Sequence, residues 1–477
     1  MNATTFAPGD RILLRAGSVW EAQQLRPLGS GTPEKPIVIS RYGDGRKPAL
    51  HGRGRVPWLV SLVNQEGWEI TELELTNFSD GPAQRHRAVE IHANDYGIVR
   101  HIHLKNLSIH DVNAVSDYHN DGDTLAKSFG GIAFLIEGTT KPTAWDDLLV
   151  AGCDIRNVGP IGLVTSSTWM TGHRTNDPRT WFPSTRVILR GNTLERIARN
   201  GLILRGCVSP LVEHNVFREC GLLGSGNGMF IFHCDDALVQ FNEACFTRYN
   251  PGDSDASGFD SDYNSRRSIF QFNYSHDNEY GFMLICSQGG RPNGFNDGTI
   301  VRYNISQNDG GNLIRVSGTV TNALVHNNTF YAKADMANPR EAGAPPRIIY
   351  HKTWQGWSDG ITYANNIVYN DCARAVYDFG ASKGNRFDHN LLYGQHPASE
   401  PADAHKLTAD PKFVNVRGAR NGWASAIAPY SLRAGSPAIG GGIALPDSVT
   451  RDYAGRTILI EGGRMDLGAL VYSRQIK

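Results

Sequence analysis

Four aspartates fall within one short segment, PGDSDASGFDSDYNSRR, which begins at Pro251. They are Asp253, Asp255, Asp260 and Asp262. Two neighbouring carboxyls can divide the work of bond cleavage, with one protonated as a general acid and the other ionised as a base or nucleophile. Several carboxylates can instead supply the oxygen ligands that Ca²⁺ prefers. The segment therefore indicates an acid–base pair, a calcium site or a solvated acidic loop.

A repeat of short apolar strands surrounds this segment and indicates how it is positioned. Each of these strands begins at a glycine: Gly162, Gly201, Gly228, Gly258, Gly281 and Gly311. No stretch between them shows the period of an amphipathic helix. Two or three short strands per repeat cannot bury a face alone, so each strand must pair in parallel with its copy in the next coil. The repeat predicts an all-β fold, a right-handed parallel β-helix, which is a solenoid.

A second strand in each repeat ends in asparagine. These terminal asparagines are Asn192, Asn215, Asn242, Asn273, Asn304, Asn327, Asn365 or Asn366, and Asn390. Asparagine accepts the left-handed backbone conformation of a tight turn at low cost. Its side-chain amide can also hydrogen-bond to the copies above and below, so we expect a ladder of stacked asparagines.

The two ends of the chain carry a resemblance to a known family. The N-terminal segment is PGDRILLRAGSVWEAQQLRPLGSGTPEKPIVISRYGDG, and the C-terminal segments are DPKFVNV, YSLRAGSPAIGGG, RDYAGR and MDLGALVY. With these segments the chain resembles the pectin-lyase-like superfamily of β-helix enzymes that act on polysaccharides, including glycosidases and alginate-lyase-like members. The resemblance covers nearly the whole chain. It implies one β-helix domain over 1–477, with N-terminal coils at 1–80, central coils bearing the active-site face at 81–400 and an irregular cap at 401–477.

Strand alternation predicts which side chains of the repeat face outward. Phe259 and Ser261 should face the interior, and Asp260 and Asp262 should face outward. The same alignment turns apolar residues outward in the neighbouring coils: Phe230, Phe232, Met283 and Ile285. It turns two arginines outward one coil further on: Arg205 and Arg315. Carboxyls on an apolar, aromatic surface between arginines are typical of a carbohydrate-binding cleft.

Three functions are compatible with this arrangement. In the favoured hypothesis the protein hydrolyses a glycosidic bond with Asp260 and Asp262 as the catalytic pair, and Asp253 or Asp255 as the alternative partner. In the second, a Ca²⁺-dependent lyase or uronate epimerase uses the four aspartates as metal ligands. The third is a glycan-binding β-helix without catalysis. The fold hosts all three functions, so the resemblance does not choose among them.

The remaining predicted site residues are expected to contact a poly- or oligosaccharide substrate. The predicted binding residues are Arg205, Phe230, Phe232, His233, Arg315, His351, Lys352, Trp169 and Trp354. In the lyase hypothesis the proton is abstracted by one of three of them: Arg315, His351 or Lys352. Two long insertions, 111–131 and 165–184, are predicted to build the walls of the cleft.

Composition limits the partners and the compartment. Lysine plus arginine and aspartate plus glutamate each number 47, so the net charge of zero argues against a nucleic-acid partner. No apolar run is long enough to span a membrane. The seven cysteines show no zinc-ligand spacing, and we expect buried thiols, with a Cys220–Cys245 disulfide as one possibility. We expect no cofactor, apart from Ca²⁺ in the lyase hypothesis. The resemblance implies a secreted or periplasmic protein whose signal peptide has been removed, and it leaves monomer and homo-oligomer open.

Overall fold

Short parallel strands make up nearly all of the regular structure. The computed structural model describes residues 1–81, 84–115, 126–290, 294–447 and 449–473. They divide into two compact units, Met1–Ala237 and Leu238–Lys477. The expectation of one domain over 1–477 stays a prediction. Residues 116–125, within one of the two predicted wall insertions, lie outside the described residues.

Unit 1 is a parallel β-helix with three sheets. Its strands are β1 (Arg11–Arg15), β2 (Val19–Glu21), β3 (Ile37–Tyr42), β4 (Ala49–His51), β5 (Trp58–Val63), β6 (Trp68–Thr71), β7 (Glu74–Asn77), β8 (Arg87–Asn94), β9 (Ile98–Lys105), β10 (Ser108–Val112), β11 (Gly130–Glu137), β12 (Ala144–Ala151), β13 (Asp154–Val158), β14 (Ile161–Ser167), β15 (Thr185–Arg190), β16 (Thr193–Ile197), β17 (Leu202–Val208), β18 (Leu211–Glu213), β19 (Val216–Arg218) and β20 (Met229–Asp235). The first sheet has the order β1-β3-β6-β9-β12-β15-β18, the second β2-β4-β7-β10-β13-β16-β19 and the third β5-β8-β11-β14-β17-β20. Two 3-10 turns interrupt the coils, at Ala126–Ser128 and His173–Thr175.

Unit 2 repeats this architecture. Its strands are β21 (Leu238–Gln240), β22 (Glu243–Cys245), β23 (Ser257–Ser261), β24 (Ser265–Arg266), β25 (Ile269–Gln271), β26 (Tyr274–His276), β27 (Gly281–Ser287), β28 (Asn296–Asp297), β29 (Ile300–Arg302), β30 (Ile305–Gln307), β31 (Asn312–Gly318), β32 (Val320–Thr321), β33 (Leu324–His326), β34 (Thr329–Ala332), β35 (Arg347–Lys352), β36 (Thr362–Ala364), β37 (Ile367–Asn370), β38 (Val376–Asp378), β39 (Arg386–Asp388), β40 (Leu391–Gly394), β41 (Gly442–Ile443) and β42 (Arg464–Met465). The first sheet is β21-β25-β29-β33-β36-β39, the second β22-β26-β30-β34-β37-β40 and the third β23-β27-β31-β35-β38. The predicted right-handed parallel β-helix is confirmed, since crossovers between parallel strands are right-handed.

The C-terminal segment of unit 2 covers the second sheet of that unit. It contains a 3-10 turn, Trp423–Ala426, which leads into one helical turn, α1 (Ile427–Tyr430). Tyr430 donates its hydroxyl to Gln307 Oε1 at 3.0 Å, and Trp423 donates its indole N–H to the Phe272 carbonyl at 2.6 Å. No described helix has the length and apolar character needed to cross a membrane. All seven cysteines are buried free thiols, including Cys220 and Cys245.

Stacked asparagines form the predicted ladder. In unit 2 the amide side chains link successive coils in the order Asn242, Asn273, Asn304, Asn328, Asn366 and Asn390. The ladder residue between Asn304 and Asn366 is therefore Asn328, and not Asn327, which was predicted. The left-handed backbone belongs to the residue before each rung, such as Phe272 (φ 55°) and Tyr303 (φ 51°), and not to the rung itself. The left-handed residue turns the chain, and this aims the following amide into the interior.

The ladder predicts a stability defect. Asn304 is fully buried, and its Oδ1 accepts hydrogen bonds from the backbone and side-chain N–H groups of Asn273. We expect Asn304→Ala to lower the free energy of unfolding by ~3 kcal/mol, because it leaves a buried donor without an acceptor. Urea unfolding would measure this loss. The exposed Asn415 is a matched control, and an equal loss in Asn415→Ala would contradict a special role for the ladder.

Candidate active site

Asp260 lies on the outward face of the third sheet of unit 2. Phe259, its neighbour in β23, packs its ring against Phe270 of the first sheet, with ring centroids 6.4 Å apart. Phe259 therefore faces the interior, and alternation turns Asp260 outward, as predicted. Asp260 pairs with Leu284, which pairs in turn with Arg315, so the arginine lies two coils away on the same face.

The predicted register of β27 is wrong by one residue. Met283 pairs with Phe259, and Ile285 pairs with Ser261, so both side chains face the interior and not outward. The cause is Gly281, which pairs with Ser257 and not with Gly258. A Cβ at Gly281 would lie 2.2 Å from the carbonyl oxygen of Asn312, so only glycine fits there. The glycines of neighbouring coils therefore do not occupy equivalent positions.

The carboxyl of Asp260 is buried among like charges. Asp260 is 3% exposed. Burial raises the pKa of Asp260 well above its ordinary value, and the charges of Asp262 and Asp255 raise it further. The guanidinium of Arg315 acts in the opposite direction. Asp260 thus retains its proton at pH values where an ordinary aspartate is ionised, which is the property of a general acid.

The thiol of Cys286 lies beside the carboxyls of both Asp262 and Asp260. The thiol of Cys286 donates to Asp262 Oδ1 at 3.0 Å and lies 3.9 Å from Asp260 Oδ1. Burial and the two carboxylates raise the pKa of Cys286 well above its usual range, so it remains a thiol and a donor. The backbone N–H of Tyr263 also donates to Asp262 Oδ1, at 2.7 Å. Two donors on one oxygen hold the Asp262 carboxyl in place.

Cys286 is a site residue that sequence reasoning missed. In the predicted register its side chain faces the interior, because it stands at an odd position after Gly281. The one-residue shift of β27 turns it outward, beside the aspartates. The oxygens of Asp260 and Asp262 and the sulfur of Cys286 lie within 4.8 Å of one another.

The loop before β23 holds the other two aspartates. Asp253 Oδ1 accepts hydrogen bonds from the backbone N–H groups of Ser254, at 2.5 Å, and Asp255, at 3.1 Å. The second oxygen of Asp253 is buried and has no hydrogen-bond partner among the described residues. Asp255 lies close enough to Asp260 to raise its pKa. The loop thus brings the charge of Asp255 close to Asp260.

Arg315 is a buried cation with free donors. It is 3% exposed, and its guanidinium lies 5.1 Å from the ring centroid of Tyr280. Its Nε and Nη1 atoms are buried without an acceptor among the described residues. Buried polar groups are nearly always hydrogen-bonded, so such an arginine needs a functional explanation.

Lys352 belongs to the same outward face, two coils from Cys286, through Ser317. Burial lowers the pKa of Lys352, and the charges of Arg340 and Arg315 lower it further. Trp354, a predicted binding residue, is 36% exposed and contacts Tyr263 edge to face, with ring centroids 5.9 Å apart. Lys352 and Trp354 therefore stand where a substrate bound near the aspartates could be contacted.

His351 does not have the predicted position. It pairs with Val316 in the interior column, and it is 1% exposed. Its Nδ1 contacts Ser382 Oγ and its Nε2 contacts the hydroxyl of Tyr363, both at 2.8 Å. Burial lowers the pKa of His351 to about 3. An interior, neutral and fully bonded imidazole does not support the predicted role in substrate binding or proton abstraction.

The predicted binding residues of unit 1 form a set of their own. Phe230 pairs with Ile203, and Phe232 pairs with Arg205, as the alignment predicted. The Arg205 guanidinium lies 5.6 Å from the Phe232 ring centroid. Phe230 is nearly buried within an apolar cluster of the outward face, which also contains Ala133, Leu135, Ile161, Val164 and Ile203. Phe230 therefore supports this surface and exposes little of its ring.

The 165–184 insertion packs beside this set. Its His173 stacks on Trp181 with ring centroids 3.8 Å apart, and its Nε2 contacts Asp235 Oδ1 at 2.7 Å. Burial lowers the pKa of His233 to about 3, and the charges of His173 and Arg205 contribute. Trp169 is buried, so the structure does not support the predicted sugar contact through its ring. Trp169 and Trp181 instead anchor the insertion.

Comparison with known proteins finds several that are similar to this chain. No protein-family model matches the chain. A lacto-N-biosidase of Bifidobacterium longum subsp. longum is 25% identical, over 98% of this chain and 34% of the relative. The crystal structure of a GH136 lacto-N-biosidase from Eubacterium ramulus is 27% identical, with a TM-score of 0.61 over 74% of this chain and 62% of that one. The chain thus spans about a third of the length of the curated relative it matches. Its fold is the pectin-lyase-like right-handed parallel β-helix that its repeat predicted.

Proposed function

We propose that this protein hydrolyses a glycosidic bond in an oligosaccharide, with Asp260 as the general acid. The observation that carries the proposal is the burial of Asp260 beside the charges of Asp262 and Asp255. A carboxyl that keeps its proton near an ionised carboxylate is what glycoside hydrolysis requires. Asp260 would pass its proton to the leaving oxygen as the bond from that oxygen to the anomeric carbon breaks.

Asp262 is the partner carboxylate that the geometry favours. Its oxygen lies within 4.8 Å of the Asp260 oxygen. Carboxyls about 5–5.5 Å apart are typical of retaining glycosidases, and inverting pairs stand roughly 6.5–9.5 Å apart to admit a water. Asp262 would bond to the anomeric carbon, and a water activated by Asp260 would then release the sugar. Asp255 is an alternative partner because its charge acts on Asp260, and Asp253 of the same loop is the other.

Arg315 and Lys352 are proposed to bind the substrate. The free donors of Arg315 would be satisfied by hydroxyl or carboxylate oxygens of a sugar. Lys352 extends the same basic surface along the outward face. Aromatic contacts would come from Trp354, because sugars stack their C–H faces on exposed rings.

The similar proteins support hydrolysis of an oligosaccharide, and they suggest the first substrate to test. The two relatives given above are both named lacto-N-biosidase. We therefore propose that a lacto-N-biose-containing oligosaccharide heads the panel. The secreted or periplasmic location that the family resemblance implied is part of the same proposal, since such substrates are extracellular glycans.

A Ca²⁺-dependent lyase is the second candidate, and Lys352 favours it. A lysine whose pKa is lowered can abstract the proton next to a uronate carboxylate. The position of Cys286 between Asp260 and Asp262 argues against calcium there, because Ca²⁺ prefers oxygen ligands and a thiol is a soft donor.

Digestion of a glycan panel distinguishes these two functions. We expect reducing sugar to be released at the same rate with and without EDTA, and no unsaturated product that absorbs ultraviolet light. Heat-inactivated protein is the control. Unsaturated products that disappear with EDTA would establish the lyase and overturn the hydrolase. Binding without turnover across the panel would indicate a glycan-binding protein.

A further inference from the structure

Two histidines and two carboxylates converge on the outer face of the first sheet of unit 1. They come from three successive strands: Glu69 on β6, His101 and His103 on β9, and Asp147 on β12. His101 contacts Asp147 Oδ2 at 2.8 Å through Nδ1 and Glu69 Oε1 at 3.2 Å through Nε2. His103 Nε2 contacts Asp147 Oδ1 at 2.9 Å. Glu69 Oε1 also lies 3.7 Å from His103 Nδ1, so the two carboxylates face opposite edges of both imidazoles.

Backbone irregularities place two of these side chains on that face. His101 has φ 57° and Asp147 has φ 69°, both in the left-handed region. In each strand an extra residue therefore faces outward between two interior residues: Val99 and Ile102 flank the first bulge, and Trp145 and Leu148 flank the second. Such conformations cost of order 1–3 kcal/mol per residue and persist where the surroundings hold them. The two bulges stack in neighbouring strands, and they bring His101 and Asp147 together.

We infer that Glu69, His101 and His103 bind one divalent transition-metal ion. One ligand atom from each of these three residues lies within 4.8 Å of the other two. Glu69 Oε1 faces His101 Nε2 and His103 Nδ1, whereas Asp147 contacts the opposite nitrogen of each ring. Asp147 would therefore accept the N–H groups of the two imidazoles and orient them towards the ion. Two imidazole nitrogens and one carboxylate oxygen suit Zn²⁺ and its neighbours, and not Ca²⁺ or Mg²⁺, which take oxygen ligands.

Lys105 orients the carboxylate of Glu69. Its Nζ contacts Glu69 Oε2 at 2.7 Å, so the other oxygen, Oε1, is directed towards the imidazoles. The neighbouring carboxylate, Asp146, accepts hydrogen bonds from Nε and Nη2 of Arg186. Asp146 therefore does not compete with Glu69 for the metal ion. A metal ion here would join two coils of unit 1, and it would stabilise the folded chain by binding it in preference to the unfolded chain.

Zinc titration of the full-length protein tests this inference. Protein freed of metal with a chelator would be titrated with ZnCl₂ in a calorimeter, and its thermal unfolding would be followed with and without Zn²⁺. We expect one ion per chain, and a higher Tm with Zn²⁺. Glu69→Gln, Asp147→Asn, His101→Gln and His103→Gln should each weaken Zn²⁺ binding roughly tenfold or more. These amides keep the size of the side chain, so the variants should remain folded in EDTA.

His110→Gln is the matched control. His110 lies on β10 of the same unit, contacts Asp111 and Glu74, and is more exposed. It should bind Zn²⁺ as the wild type does. Binding that does not saturate at one ion per chain would overturn the inference. So would a His101→Gln/His103→Gln double variant that binds Zn²⁺ with wild-type affinity, or a Zn²⁺-dependent rise in Tm that this double variant retains.

Discussion

Replacement of Asp260 by asparagine is expected to lower kcat for the glycan substrate by about 10²- to 10⁴-fold, the usual contribution of a general acid. Asparagine has nearly the same shape but no proton to give to the leaving oxygen. An aryl glycoside with an acidic phenol as its leaving group needs little protonation, so its kcat/KM, which reports the steps up to formation of the glycosyl-enzyme, should fall much less than that of the glycan. The comparison of the two substrates measures the proton transfer itself.

Asp335→Asn is the control for this variant. Asp335 is an exposed aspartate of the same unit, and its charge is removed without touching the site. It should retain wild-type kcat on both substrates. Full activity of Asp260→Asn on the natural glycan would contradict the assignment of the acid. An equal loss of kcat/KM on both substrates would show that Asp260 does not act through the leaving group.

The same variant should be more stable than the wild type. The pKa of folded Asp260 lies above its unfolded value of ~3.9, so the folded chain binds this proton more tightly. The stability that this proton contributes is complete below the unfolded pKa, and it is lost as pH rises through the folded pKa. Asparagine does not ionise, so the variant does not lose this stability as pH rises. The gain in Tm from Asp260→Asn should therefore grow with rising pH, and a gain that is largest at acid pH would contradict it.

Replacement of Arg315 by methionine is expected to lower kcat/KM by roughly 10²-fold or more, the effect of losing a charge-assisted contact in a buried site. The cost to folding should be small, because the Nε and Nη1 donors have no acceptor to lose among the described residues. The variant should also move the alkaline limb of the kcat/KM profile to higher pH, since Arg315 lowers the pKa of Asp260. Michaelis–Menten kinetics across pH would measure both effects.

Arg302→Met gives the opposite pattern and serves as the matched control. Arg302 is also a buried arginine of unit 2, but it contacts Asp447 Oδ2 at 3.1 Å and donates to Gln271 Oε1 at 2.8 Å. Its loss should lower the free energy of unfolding by about 1–3 kcal/mol, because Asp447 and the buried Gln271 Oε1 each lose a donor. Its kcat/KM should remain unchanged. If Arg315→Met lost stability and kept kcat/KM, Arg315 would be a structural residue.

The sequence predicted the structure best where a single physical rule determines the position of each residue. Strand alternation placed Asp260, Phe230 and Phe232 outward, and the amide chemistry of asparagine predicted the ladder. These features depend on a period of two and on a single repeated turn. They are visible in a single chain because every coil repeats them.

The prediction failed where a coil departs from the repeat. At Gly281 close approach to the Asn312 carbonyl, and not equivalence to Gly258, fixes the position of the glycine. The resulting one-residue shift of β27 places Met283 and Ile285 in the interior. It also turns Cys286 outward, so the sequence alignment did not predict Cys286 as a site residue. His351 failed for a related reason, because a polar residue in the interior column is tolerated when Tyr363 and Ser382 satisfy it. Partners distant in sequence decide such positions, and spacing does not reveal them.

Digestion in water enriched in heavy oxygen tests the central claim most directly. Hydrolysis transfers one oxygen atom from water to the anomeric carbon of the released sugar, whereas elimination transfers none. Mass spectrometry of the product should show one heavy oxygen at that carbon with the wild-type protein, and almost no product with Asp260→Asn. Unsaturated product without the isotope, or equal labelled product from Asp260→Asn, would contradict hydrolysis by an Asp260 general acid.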